Sequence, residues 1–312
     1  MKILGESAPE PRDATPALPA RIAGAGLRDS TPSWPVLAGL AITLLYPVLA
    51  PPGARAEQLP LWEAGVGGTI LYLPDYRGAD QGRAWLLPFP YLVYRGEFLK
   101  ADERRVRGLF FKSERTELDV SVNAQPPVDS SENDARRGMP DLDPVLEFGP
   151  ALNVSLHRSA DRRTEIELRL PVRAAIATDL THMEFAGWVF QPNVNVDVRD
   201  PLGLAGWRGG LLAGPMFSDH RYNKYYYAVD PAFATPARPA YNPGGGYAGT
   251  QLIATLSRRF SQYWVGGFAR WDTLSHAVFV ESPLVKTRQY LAGGVAVAWV
   301  LGESKTRVEA PR

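Results

Sequence analysis

The sequence predicts an all-β chain, a transmembrane antiparallel β-barrel of about twelve strands behind an N-terminal signal segment. Three observations carry this expectation. An uncharged apolar run of modest length precedes a small-x-small tripeptide ending at residue 56. Long segments of two-residue alternation fill the rest of the chain. Long and short connections then take turns between those segments.

The apolar run is VLAGLAITLLYPVLA, residues 36–50, interrupted by Pro47. A membrane-spanning helix needs roughly 20 apolar residues, so this run suits the core of a signal peptide better than a span. PPGARA follows, and Ala54-Arg55-Ala56 has the form that signal peptidase cuts, leaving Glu57 first. An uncleaved anchor is the alternative. Residues 1–33 are long and Pro-rich for a charged leader, and the true translation start could lie downstream. The chain divides accordingly into a targeting segment at 1–56, a barrel at 57–301 and a polar tail at 302–312. After Ala56 no stretch reads as a spanning helix, as expected of a chain that crosses with strands.

Side chains alternate across a strand, so a period of two means strand. In the segment 187–199, Trp188, Phe190, Pro192, Val194, Val196 and Val198 share one face, while Gln191, Asn193, Asn195, Asp197 and Arg199 share the other. In 164–176, Ile166, Leu168, Leu170, Val172 and Ile176 oppose Glu165, Glu167, Arg169 and Arg173. In 144–158, Leu146, Phe148, Leu152, Val154 and Leu156 oppose Glu147, Asn153 and Ser155. In 115–122, Leu118, Val120 and Val122 oppose Glu117, Asp119 and Ser121. Globular strands average about 5–6 residues. Several of these run past ten, as tilted spanning strands of about 9–11 residues must. A soluble lipocalin-like barrel would alternate too, with its apolar face inward. The export signal and the length and number of strands favour the membrane form.

Four more strands follow at 207–217, 247–259, 263–274 and 289–301. The connections 123–143, 177–186, 218–246 and 275–288 are long, whereas 159–163, 200–206 and 260–262 are tight. Outer-membrane barrels have long extracellular loops and short periplasmic turns, so this pattern puts the C-terminus in the periplasm. The first third is less regular, with strands at 61–72, 85–94, 97–101 and 106–111 restoring an even number. The total is about twelve, with ten or fourteen as alternatives. Eight Trp and thirteen Tyr supply enough aromatics for interfacial girdles.

Composition narrows the chemistry. A net charge of +1 without basic runs gives no reason to expect nucleic acid. The absence of cysteine excludes disulfides, thiolate metal sites and a cysteine nucleophile. His157, His182, His220 and His276 are scattered without metal-ligand spacing, and no cofactor or metal is expected. Ser275-His276 and Ser218-Asp219-His220 are the nearest approach to a barrel hydrolase, and neither carries a nucleophile motif. Gly244-Gly245-Gly246 opens a strand with no Lys-Ser/Thr behind it, so it reads as a hinge needing positive φ rather than a phosphate cradle. Asp141 and Asp143 are too few for a calcium site and suit a turn.

The charged faces matter more. Glu147, Glu165, Glu167, Arg169, Arg173, Asp197, Arg199, Arg208, Arg270 and Asp272 lie opposite the apolar sides of their strands. A charge toward lipid costs roughly 2–4 kcal/mol near the midplane, so these ten are expected to face the lumen. Mixed signs there could line a narrow channel or cross a closed lumen as ion pairs. Gly210, Gly214, Ala292, Gly294 and Ala296 fall on the same inner faces and leave room.

Three segments resemble the MipA/OmpV family of outer-membrane barrels. They are GVGGTILYLPDYRGAD with Asp75 and Tyr76, GMPDLDPVLEFGPALNV with Asp141 and Asp143, and GPMFSDHRYNKYYYAVD followed by RPAYNPGGGYAG. The last pair contributes Asp219, Tyr222, Tyr226 and Tyr241. The resemblance spans residues 61–301 and implies an outer-membrane barrel with a scaffold role between a murein hydrolase and a murein synthase. One departure bears on assembly: the last strand, YLAGGVAVAWVL, offers Trp299 but is followed by the polar tail instead of ending the chain on an aromatic residue. The expected function is a non-enzymatic scaffold or adaptor in the outer membrane, surrounded by its lipid. A small diffusion channel and a lipid hydrolase are the alternatives.

Overall fold

A computed structural model describes residues 58–95, 99–101, 106–108, 111–113, 115–179 and 181–309. The expected cleavage residues Ala54 and Ala56 lie outside this range, as does the beginning of the short strand expected at 97–101.

The strands in chain order are β1 (Gln58–Pro60), β2 (Trp62–Pro74), β3 (Gly82–Arg95), β4 (Leu99–Ala101), β5 (Val106–Gly108), β6 (Phe111–Lys112), β7 (Thr116–Gln125) and β8 (Val145–Arg158). They continue with β9 (Thr164–Thr178), β10 (Met183–Phe190), β11 (Asn193–Arg199), β12 (Trp207–Ser218), β13 (Gly246–Arg259), β14 (Tyr263–Thr273), β15 (Gln289–Glu303) and β16 (Arg307–Glu309). Every pairing is antiparallel. The hydrogen-bonded path runs β5-β4-β3-β2-β15-β14-β13-β12-β10-β9-β8-β7-β6. Its two ends, β5 and β6, are separated in the chain only by residues 109–110, so the path returns on itself as a barrel. A closed sheet leaves no unpaired edge in hydrocarbon, which is the condition for strands to cross a membrane.

β10 and β11 lie end to end between β9 and β12. Counting each interrupted pair once, the described strands make about twelve staves. The break falls at Gln191-Pro192, where the sequence alone suggests one unbroken strand. Pro192 has no N–H to donate, so the ladder cannot run through it. β4, β5 and β6 are short and reach β3 and β7 only near their inner ends, at Tyr94↔Ala101 and Leu118↔Phe111.

Alternation sorts the faces. Along β2, Val66, Ile70 and Tyr72 are exposed while Glu63 is 3 % exposed. Leu86, Phe148, Trp188, Leu291, Val295 and Trp299 join the exposed apolar band. Below the band, β1 and β16 pair as a separate two-stranded ribbon that ties the start of the described chain to its end. β15 runs on to Glu303, and Arg307–Glu309 is strand, so most of the polar tail is ordered against residues 58–62.

The outer connections hold the departure from pure strand. Helix α1 (His220–Tyr227) follows β12, with the Asp219 carboxylate accepting from the Tyr222 N–H as N-cap. Eight residues give too little length for a helical period to stand out among so many alternating segments. The cap works because Gly187, at φ +128° on a bulge of β10, has no Cβ; a side chain there would overlap the Asp219 carboxylate.

The face assignment makes a direct prediction. Ile70→Arg should lower unfolding stability in lipid vesicles by about 2–4 kcal/mol, whereas Thr69→Arg, one residue away on the inner face, should cost far less. Denaturant midpoints measure both.

Candidate functional site

The outer connections pack together against residues of the wall. Tyr76, Val128, Leu142, Tyr226, Phe279 and Leu284 come from four different connections and are all buried in one apolar cluster. Wall residues Val145, Val189 and Met216 complete it. Tyr227 stacks on Phe279 with ring centroids 3.7 Å apart. Most polar groups inside the plug find partners within it, the buried Tyr226 hydroxyl being an exception. The Tyr76 hydroxyl donates to the Leu284 carbonyl at 2.8 Å, and the Tyr227 hydroxyl donates to the Arg77 carbonyl at 2.9 Å. Buried Arg136 donates to the Pro140 carbonyl and to the Ser130 hydroxyl. Arg238 donates to the carbonyls of Ala135, Arg137 and Phe233. Burial holds the phenols of Tyr76, Tyr222, Tyr226 and Tyr227 well above their ordinary pKa, and pushes that of Tyr225 up to about 12, so all stay neutral.

Two wall carboxylates, both fully buried, anchor this plug. Glu147 on β8 accepts from Arg173 Nε at 2.9 Å, from Asn123 Nδ2 at 3.2 Å and from the Tyr222 hydroxyl of α1 at 2.9 Å. Arg173 reaches onward to Gln191 Oε1 at 2.6 Å, and Gln191 bonds to Gln251. Asp272 on β14 accepts from Arg77 Nε at 2.8 Å and from Arg270 Nε and Nη2 at 2.9 and 2.7 Å. Arg77 belongs to the connection after β2, so Asp272 fastens one loop as Glu147 fastens another.

Beneath the plug lies a chamber of about 1010 Å³. Its lining includes Ser113, Arg115, Arg162 and Arg163 from the inner turns, so its mouth opens at the inner end. Glu165, Glu167, Arg169, Asp197, Arg199 and Arg208 form one wall. Trp264, Gly266, Phe268, Gly294 and Ala296, on β14 and β15, form an apolar wall across from it. The ten charges read as lumen-facing therefore separate into two groups. Glu147, Arg173, Arg270 and Asp272 belong to the buried anchors, and the other six to the chamber.

The motif residues of the loops have structural partners. Asp75 accepts from Asn133 Nδ2 at 2.8 Å and from Arg83 Nε at 3.3 Å. The Asp141 carboxylate accepts from the Ser130 N–H at 2.7 Å, and the Asp143 carbonyl accepts from the Tyr225 hydroxyl at 3.2 Å. Tyr241 bridges Val229 through its backbone. The Ser218 hydroxyl donates to Asn223 Oδ1 at 2.6 Å, while His220 Nδ1 lies 2.6 Å from the Pro243 carbonyl. Ser275 Oγ accepts from Thr273 Oγ1 at 3.1 Å, and His157 and His182 are exposed. Gly246 has φ +140°, the hinge conformation its position asks for. Sequence reasoning passes over Arg77, Arg136 and Arg238. Each is one arginine in a polar loop, and its burial depends on contacts 90 or more residues away in the chain.

Similarity to solved structures is weak. Residues covering 78% of this chain resemble 99% of "Bacterial polysaccharide outer membrane secretin" at 8% identity and a TM-score of 0.38. The "CymD monoaromatic hydrocarbon channel" is similar over 80% of this chain and 68% of its own, at 10% identity and a TM-score of 0.22. The outer membrane protein OprG from Pseudomonas aeruginosa is similar over 77% and 93%, at 6% identity and a TM-score of 0.20. No curated protein matches the sequence. Residues 66–301 match the family described as MltA-interacting protein MipA, and the chain is a β-barrel of the Gram-negative outer membrane that belongs to this family.

Proposed function

We propose that the protein is a non-enzymatic scaffold or adaptor in envelope maintenance, with murein hydrolase or synthase proteins as its periplasmic partners and outer-membrane lipid around it. The observation that carries this reading is the plug. Its apolar cluster and the anchors at Glu147 and Asp272 stand across the outer half of the lumen, which supports a closed barrel over an open pore. The family's description as MltA-interacting supports a murein-related partner. On this reading residues 1–56 direct export and are removed after Ala56.

A small diffusion channel is the second reading, favoured by the chamber of about 1010 Å³ and its charged wall. Conductance separates the two. In planar bilayers the protein should show little steady conductance. Arg77→Ala should introduce conductance by freeing the first outer loop, and should cost about 1.5–3 kcal/mol of stability, since it removes a buried charge-assisted bond while Arg270 still holds Asp272. A steady ion-selective conductance in the unaltered protein would favour the channel. The scaffold itself is tested by crosslinked capture from envelopes, where murein-processing enzymes should be recovered with the barrel. Their absence from the captured set would contradict it.

A further inference from the structure

The chamber wall contains a repulsive arrangement. Arg199 on β11 and Arg208 on β12 face each other directly in the antiparallel ladder, and both line the chamber. Like charges placed opposite each other in a sheet are destabilising. Among the described residues neither guanidinium makes a hydrogen bond or an ion pair, although Glu165 and Asp197 lie on the same wall. Glu165 is taken by Arg158. Arg163, paired with Asp161, lines the same mouth, and its carbonyl accepts from the Arg199 N–H at 2.7 Å. Two unpaired guanidinium groups, Arg199 and Arg208, thus face each other at the mouth of a chamber that opens inward.

A second observation lies further along the wall. Asn153 lines the chamber and is 2 % exposed. Its Oδ1 accepts from Arg169 Nε at 2.8 Å, which fixes the amide, and its Nδ2 donates to no group among the described residues. This unpaired donor marks the wall beyond the arginines as polar, six residues along the ladder from Arg199, so the apolar part of a ligand belongs on the other side.

The remaining wall supplies the other half of the chemistry. From Arg208 the ladder runs across Ser257, Gly266, Ala296 and Thr69. Phe268 and Gly294 pair in the neighbouring row. Small residues and aromatic faces make this side smooth and apolar, while the volume is that of a ligand site at the upper end of the usual 300–1,000 Å³ range.

We propose that the chamber is a binding site for an anionic amphiphile, an apolar chain ending in a carboxylate or phosphate. The anionic group sits between Arg199 and Arg208 and relieves their repulsion, and the chain lies along Gly266, Ala296 and Phe268. The plug above makes this a site of residence rather than passage. The inference goes beyond the scaffold role and does not need it.

The test uses the full chain in phosphatidylcholine nanodiscs, with empty discs subtracted, and measures uptake of labelled palmitate, monoacyl phosphatidic acid and the neutral monoacylglycerol of equal chain length. Saturable uptake of palmitate or of monoacyl phosphatidic acid, well above that of the neutral compound, is expected, and the stronger of the two identifies the source of the head group. Arg199→Ser with Arg208→Ser should weaken uptake by about tenfold or more, since both charge-assisted contacts to the anionic group are lost. Ala296→Trp should weaken it strongly by blocking the apolar wall along which the chain lies. Arg208→Ser should also raise the denaturant midpoint of the empty protein, which a merely structural arginine would not do. Retained heat-modifiable migration on gels shows that the variants fold. Uptake equal to that of empty discs, equal uptake of the neutral compound, or unchanged uptake in both sets of variants would overturn the proposal. Acetate competing as well as palmitate would overturn the apolar half of it. Partner capture by Ala296→Trp, which leaves the inner rim unaltered, should remain as in the unaltered chain, which keeps this result separate from the scaffold reading.

Discussion

Two carboxylates on opposite parts of the wall, Glu147 and Asp272, hold the outer half of this barrel together. Each is buried where an unpaired charge would be costly. Each is therefore surrounded by donors, and in both cases one donor comes from outside the wall. Tyr222 of α1 reaches Glu147, and Arg77 of the first outer loop reaches Asp272. The anionic wall thus selects a loop conformation, and that conformation brings Tyr76, Tyr227 and Phe279 into one apolar core. Removing either carboxylate would leave a buried arginine or phenol without its partner, which ties the plug's order to the charge of the wall.

The result is a lumen with two unlike ends. The outer end is built as a soluble protein's interior is, from stacked aromatics and satisfied backbone carbonyls. The inner end keeps its side chains short or apart on one wall and charged on the other, and residues of the inner turns line its mouth. A periplasmic adaptor needs only the inner rim and the β1–β16 ribbon to be reachable, and both are on that side. The ribbon also fastens the last long stave, β15, beyond Trp299, through the Ser304 N–H to the Trp62 carbonyl. This continuation occupies the place where a terminal aromatic would otherwise end the strand.

Much of the barrel was legible because its signal is local. Glu165 against Ile166, or Val196 against Asp197, needs only a period of two and the cost of charge in lipid to be placed. The alternation of long and tight connections was legible in the same way. What escaped the sequence depends on distance along the chain. Arg77 and Asp272 are 195 residues apart, and nothing in YRGAD marks the arginine for burial. The division of the inner-face charges into anchors and chamber lining was hidden for a similar reason, because it depends on which strand heights the loops reach. The break at Pro192 could have been read from its missing N–H, yet the hydrophobic period passes through it unbroken. Helix α1 is short and tyrosine-rich, and only its Asp219 cap announces it.

The central claim is that the lumen is closed from outside and open from the periplasm, and site-directed labelling tests it most directly. The chain has no cysteine, so single introduced thiols report without background. Thr255→Cys lies in the chamber, and Glu281→Cys lies on an outer loop with 77% of its side chain exposed. A maleimide too large to pass porins should label Glu281→Cys on intact cells. It should label Thr255→Cys only after the periplasm is opened to it. Equally fast labelling of both thiols on intact cells would contradict the account.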